Sequence, residues 1–167
     1  MGEVEEERHP YTGEIILRRR DVATPTPMWE YGTFRATETA VAPDGYYVLP
    51  EAADVIERLE AHGVTVVRFA DAPQAGAERF AIDSTTVAER EFQGRHERTV
   101  FGGWHAATVD LPAGTAWVSV DQPLGRLAFT LLEPRSDDGF VAWGLLDASI
   151  EEGRMPVLRV PPGTDVP

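Results

Sequence analysis

The stretch Tyr46–Phe69, YYVLPEAADVIERLEAHGVTVVRF, decides the fold. Tyr46, Tyr47, Val48 and Leu49 form a short apolar strand that Pro50 ends, and proline fits the first turn of a helix because its missing N–H has no use there. Behind it Ala52, Val55, Ile56 and Leu59 recur at the three-four spacing of one buried helical face, while Glu51, Asp54, Glu57, Arg58 and Glu60 fall outside it. Gly63 stands where a helix reverses, and Val64–Phe69 reads as a second strand. Strand, helix, strand in this order predicts a βαβ unit with parallel strands.

Outward from this unit the pattern is mixed. Thr33–Val41 alternates loosely and predicts a strand. From Glu78 to Val120 the expectation is antiparallel strands, with a hairpin of Arg95–Phe101 and Trp104–Leu111 around Gly102-Gly103, a dipeptide suited to the positive φ angles of a two-residue turn. Thr115–Val120 predicts another strand. Leu124, Leu127, Ala128 and Leu131 predict a helix up to Pro134, a shorter helix is expected from Asp137 or Asp138 through Trp143, and Val157–Val160 predicts the last strand. The expected fold class is therefore α+β: a mixed sheet with one βαβ unit, an antiparallel hairpin region and two to three helices. The expected organisation is an arm or connector over 1–32, a domain over 33–160, and a proline-rich tail over 161–167.

The chain has 167 residues and a net charge of −13. That field repels phosphate backbones and anionic headgroups, so neither nucleic acid nor a membrane surface is an expected partner. Every basic residue other than histidine is Arg; Lys, Asn and Cys are absent. Schiff-base chemistry, a phosphate-loop lysine, thiolate nucleophiles and thiolate metal sites are thereby excluded. The first ten residues are acidic where a secretory signal needs a basic start and an apolar stretch, and the abrupt charged opening fits an internal piece of a longer gene product.

Chemistry-bearing groups are few. His62 falls at the C-terminal end of the predicted helix, His9 in the arm. His96 and His105 share the expected hairpin face but lie roughly 13 Å apart along it, too far for one zinc ion. Asp137 and Asp138 read as a helix cap. Ser84, Ser119, Ser136 and Ser149 lack a Gly-x-Ser-x-Gly elbow, and no Gly-x-Gly-x-x-Gly follows a strand. Trp117 and Trp143 fall in apolar runs and read as core.

The arm offers the candidate interface. Ile15, Ile16 and Leu17 form an apolar triplet followed by Arg18, Arg19 and Arg20, and Trp29 and Tyr31 lie beyond Pro25 and Pro27. Read as an unpaired strand beside a basic patch on an acidic molecule, this segment is expected to meet another domain or a second copy of the chain.

Several stretches resemble the region downstream of the catalytic domain in bacterial zinc carboxypeptidases of the carboxypeptidase A-like class: Tyr47–Phe69, Phe92–Arg98 (FQGRHER) and above all Leu111–Ile150 (LPAGTAWVSVDQPLGRLAFTLLEPRSDDGFVAWGLLDASI). Those enzymes hold zinc with a His-x-x-Glu pair and a distant second His. Here the third residue after His9, His62, His96 and His105 is Thr12, Thr65, Thr99 and Thr108. The resemblance thus implies a non-catalytic accessory domain with no catalytic residue, no metal ligand and no cofactor in this chain, zinc belonging to a catalytic domain outside it. It also implies a periplasmic or extracellular parent, and docking on that parent's peptidase domain or self-association through the arm. The alternative expectation is a small-ligand or glycan-binding module using exposed aromatics.

Overall fold

The structure, a computed structural model, describes residues 2–70, 74–164 and 166. The chain divides into two compact units, 1–39 and 40–167. No helix among the described residues is long and apolar enough to cross a membrane.

In the first unit β1 (Gly2–Arg8) pairs antiparallel with β2 (Ile15–Ala23) as a two-stranded sheet. The apolar triplet is therefore not an unpaired strand. The acidic run that precedes it supplies the partner, and opposite charges meet across the ladder: Arg18 Nε lies 2.7 Å from Glu7, and Arg20 reaches Glu3 at 3.3 Å. Beyond Ala23 the chain is extended. Thr33–Val41 forms no strand, because its weak alternation finds no partner and every one of its side chains is exposed.

The second unit is a six-stranded sheet in the order β4-β7-β3-β8-β5-β6. Its strands are β3 (Gly45–Val48), β4 (Val67–Arg68), β5 (Gln74–Phe92), β6 (Arg95–Asp110), β7 (Ala116–Ser119) and β8 (Val157–Val160). Its helices are α1 (Ala53–Ala61), entered through a single 3-10 turn at Pro50–Ala52, α2 (Gly125–Leu132) and α3 (Asp147–Glu151). The fold is α+β, with more strand than helix.

The Tyr46–Phe69 unit forms with one modification. β3 and β4 each pair antiparallel with β7, which makes them parallel to one another with β7 inserted between them. The second strand is shorter than its apolar run because a side chain replaces the ladder: Gln122 accepts from the Thr65 N–H at 2.7 Å and donates to the Thr65 carbonyl at 3.2 Å. The predicted face of α1 is the buried one. Ala52, Val55, Ile56 and Leu59 pack with Tyr46, Val48, Ala116, Val118, Ala128 and Leu132 in the main core. Strand alternation sends Tyr47, Leu49, Leu158 and Val160 to the opposite face, where they pack with Val109 and Leu111.

The hairpin departs most from expectation. Its turn is Gln93-Gly94, both with positive φ, and Gly102-Gly103 lies in the middle of the 16-residue strand β6. A bulge explains the glycines. Asp83 is an extra residue in β5 between the pairs Ile82↔Gly102 and Ser84↔Phe101, and the strands approach so closely there that a methyl group at Gly102 would overlap the Ala81 carbonyl oxygen. At Gly103 an added methyl group would meet only the end of the His105 ring, at an ordinary contact distance of 3.9 Å.

The helix expected over Asp137–Trp143 is a single turn. Trp143 N–H donates to Gly139, and then Gly144, at φ +73°, reverses the chain: Gly144 N–H returns to Val141 and Leu145 N–H to Phe140. The true helix, α3, begins three residues later, so Asp137 and Asp138 cap nothing.

Because the obstacle at Gly102 is backbone, Gly102→Ala should cost roughly 2–4 kcal/mol of stability in urea unfolding. Gly103→Ala should stay within about 0.5 kcal/mol. Equal effects at the two positions would contradict the close approach.

Candidate functional site: a groove beneath the hairpin tip

Two polar assemblies stand out in the second unit. The first is buried. Across the sheet Tyr46, Arg159 and Glu78 occupy paired positions on β3, β8 and β5, on the face that carries the main core. Arg159 Nε lies 2.6 Å from Glu78 and its guanidinium stacks 4.8 Å from the Trp104 ring centroid. Glu133, one residue beyond α2 and 7% exposed, receives the Tyr46 hydroxyl at 2.7 Å and a second hydrogen bond from Trp104.

Burial raises the Glu133 carboxyl above its usual range, against the opposing influence of the Tyr46 hydrogen bond, the Arg159 charge and the Trp104 hydrogen bond. Burial and the adjacent Glu133 also push the Tyr46 phenol far up, so it stays a neutral donor. Every group in this assembly is engaged with another. Its chemistry is that of a clasp joining α2 to three strands.

The second assembly is open. Beyond Glu78 and Arg79, β5 has no neighbour but β6, and the hairpin runs out as a two-stranded ribbon. Side-chain and backbone bonds fasten its far end to the segment 142–151. Arg98 N–H donates to the Ala142 carbonyl at 3.3 Å, and its guanidinium meets Asp147 at 2.6 Å and Glu151 at 3.1 Å. Arg95 Nη1 donates to the Trp143 carbonyl at 3.1 Å, and the Phe92 and Trp143 rings lie 6.4 Å apart.

Between tip and turn is a pocket of about 130 Å³ bounded by Phe92, Arg95, Glu97, Asp137, Asp138 and Trp143. Trp143 is held in place partly by its indole N–H, which reaches Asp138 Oδ1 at 3.4 Å. Two wider spaces continue from Arg95 toward α1. One, of about 320 Å³, is lined by Arg58, His62, Leu131 and Phe140; the other, of about 480 Å³, by Asp54, Glu57, Arg58 and Gly144. Together they form a groove with an aromatic, acidic end and a mixed floor.

The expected site residues are distributed differently. Ile15, Ile16, Leu17, Trp29 and Tyr31 are all exposed, the last two at 87%, and they lie with Arg18, Arg19 and Arg20 in the first unit. His62 caps α1 as expected and borders the groove. His9 accepts from the Thr12 N–H in the β1–β2 turn. His96 and His105 do not share a hairpin face four residues apart: they are nine residues apart on the single strand β6, roughly 30 Å and on opposite faces. Among the described residues no three of His, Asp or Glu converge as metal ligands would. Trp143 is a half-buried wall of the groove, not core, while Trp117 packs 5.2 Å from Tyr47.

Glu133 and Arg95 were not singled out as site residues from the sequence. Glu133 carries only the signal of closing an apolar helix before Pro134, and Arg95 none, since its partners are 48 residues away.

Comparison with known proteins adds a relation. Carboxypeptidase 2 of Trichophyton tonsurans is 29% identical over 140 residues, 84% of this chain and 25% of that protein. The chain is similar to part of carboxypeptidase 2. The same protein of Trichophyton equinum matches to the same extent, and a probable carboxypeptidase 2 of Arthroderma benhamiae is 30% identical over 118 residues, 71% of this chain and 21% of that protein. These relatives are fungal, whereas the sequence resemblance pointed to bacterial carboxypeptidases. The chain spans about a quarter of the length of the relatives it matches. No family model and no solved structure matches it.

The clasp predicts a pH dependence. With the folded-state pKa of Glu133 raised above its ordinary value near 4.5, the native state holds a proton that the unfolded state has released. Stability therefore falls as pH rises from that value through the folded pKa, and levels off above it. Glu133→Gln removes this contribution, so the stability of the variant relative to wild type should rise over the same window in urea titrations. A difference independent of pH would contradict the assignment.

Proposed function

We propose that this chain is the non-peptidase portion of a carboxypeptidase-related protein, packing on its peptidase portion and stabilising it or restricting access to it. The observation that carries this reading is the match itself: 84% of the chain corresponds to only a quarter of carboxypeptidase 2. The residues agree with it. None of the four histidines begins a His-x-x-Glu pair, and they stand in an arm turn, at a helix end and far apart on one strand. Among the described residues no three His, Asp or Glu side chains converge as the ligands of a metal-activated water would.

The arm is the surface offered for packing. In β1–β2 the residues Val4, Ile15 and Leu17 share one face by register, and every residue of both strands is exposed. A lone two-stranded hairpin is at best marginally stable in water, so this sheet calls for a cover. Met28, Trp29, Tyr31 and Phe34 extend the exposed apolar surface along the chain. The occupant proposed is the peptidase portion, since most of the length of the relatives lies outside the matched part.

Two experiments test the reading. The purified chain with added zinc should release no C-terminal residue from unblocked peptides. Trichophyton tonsurans carboxypeptidase 2 without the matched 140 residues should still cleave short peptides but melt at lower temperature or handle protein substrates differently. Zinc-dependent release by the chain, or loss of all short-peptide cleavage in a deletion variant that still folds, would overturn it.

Hydrogen exchange tests the arm. In dilute solutions of the chain, amides of residues 2–8 and 15–23 should exchange almost freely while those of β3, β7 and β8 are protected. Full protection of the arm in dilute solution would show that it needs no cover. Protection that grows with concentration would assign the cover to a second copy instead.

A further inference from the structure

The size of the pocket at the hairpin tip restricts what it can take. A cavity of about 150 Å³ holds one benzene molecule, so about 130 Å³ takes a planar group of up to about six heavy atoms. A sugar ring with its hydroxyls exceeds this; the guanidinium of an arginine does not, and its methylenes can lie in the opening toward the wider groove.

The walls select charge. Glu97, Asp137 and Asp138 bring three carboxylates against the single guanidinium of Arg95, which is already bonded to the Trp143 carbonyl. Among the described residues Glu97 and Asp137 form no ion pair, although the chain has 15 arginines with which to supply one. The remaining walls are the Phe92 and Trp143 rings, whose faces attract cations. The aromatic rings and the open carboxylates are separate features that favour the same ligand.

We propose that this pocket binds the side chain of an arginine residue of a peptide, the peptide lying along the groove toward α1. A planar guanidinium can stack on Trp143 while its edge donates to Asp137 and Glu97, which a point-charge ammonium cannot do equally well. The wider spaces beyond Arg95 leave room for the peptide backbone, with Leu131 and Phe140 for apolar neighbours. The net charge of −13 favours the encounter with a basic peptide. The groove belongs to this chain whatever its relation to carboxypeptidases, so failure here leaves that relation untouched.

The test is a calorimetric and tryptophan-fluorescence titration of the full chain with acetyl-Gly-Arg-Gly-amide, beside the same peptide with Gln for Arg, and cellobiose. The Arg peptide should bind saturably in the millimolar range or tighter, at least about tenfold more tightly than the Gln peptide, and more weakly as salt is raised. The double variant Glu97→Gln, Asp137→Asn changes only exposed side chains; it should keep the wild-type melting temperature and lose about tenfold in affinity. Trp143→Phe should lose affinity as well. Equal binding of the Arg and Gln peptides, undiminished affinity in a folded double variant, or saturable binding of cellobiose without the peptide would each overturn the proposal.

Discussion

The guanidinium of Arg98 is the joint on which the second unit turns. It is 10% exposed, and it meets Asp147 at 2.6 Å and Glu151 at 3.1 Å while its backbone N–H reaches the Ala142 carbonyl. Without it the outer half of the β5–β6 hairpin would be a two-stranded ribbon with no third strand, a structure that water does not support by itself. With it, the ribbon, the Gly144 reversal and α3 form one body, and the pocket between Arg95 and Trp143 has two fixed walls. A mostly desolvated Arg held by two carboxylates and a backbone bond contributes more than the exposed pairs of the arm, where screening and side-chain entropy cancel most of the gain.

This joint explains which parts of the fold were legible in the sequence. Helix α1, its buried face and the strands β3, β7 and β8 depend on local periodicity and on breakers such as Pro50 and Gly63, all of which are written in consecutive residues. The hairpin turn depends on something else. Gly102-Gly103 is a stronger local turn signal than Gln93-Gly94, but a turn at 102–103 would have given short strands and left Arg98 far from Asp147 and Glu151. Pairing over the full length of β5 and β6 and the bond from Arg98 to α3 decide the matter, and both are long-range. The same holds for the insertion of β7 between β3 and β4, which no spacing within Tyr46–Phe69 reveals.

Within the arm the departure from expectation has a physical cause as well. The net charge of the whole molecule hides the local pairing, because the acidic residues that meet the arginines lie about a dozen residues upstream on the neighbouring strand. Charge was complementary at the scale of a hairpin before it could act at the scale of a surface. The exposed surface of the arm includes the apolar Val4, Ile15 and Leu17 on one face and the aromatics beyond them.

The distribution of carboxylates separates holding the fold from meeting a ligand. Glu133 is buried, its oxygens are taken by Tyr46 and Trp104, and its raised pKa records the desolvation that the clasp sustains. Such an acid cannot be offered to a partner without opening α2 from the sheet. Glu97 and Asp137 are exposed and keep their water until something replaces it, so leaving them unpaired costs the folded chain almost nothing. Sequence composition counts all three alike among 28 acidic residues. Only burial distinguishes the carboxylate that has been used from those still available, and it leaves Glu97 and Asp137 beside two aromatic rings at the hairpin tip, where there is a pocket of side-chain size.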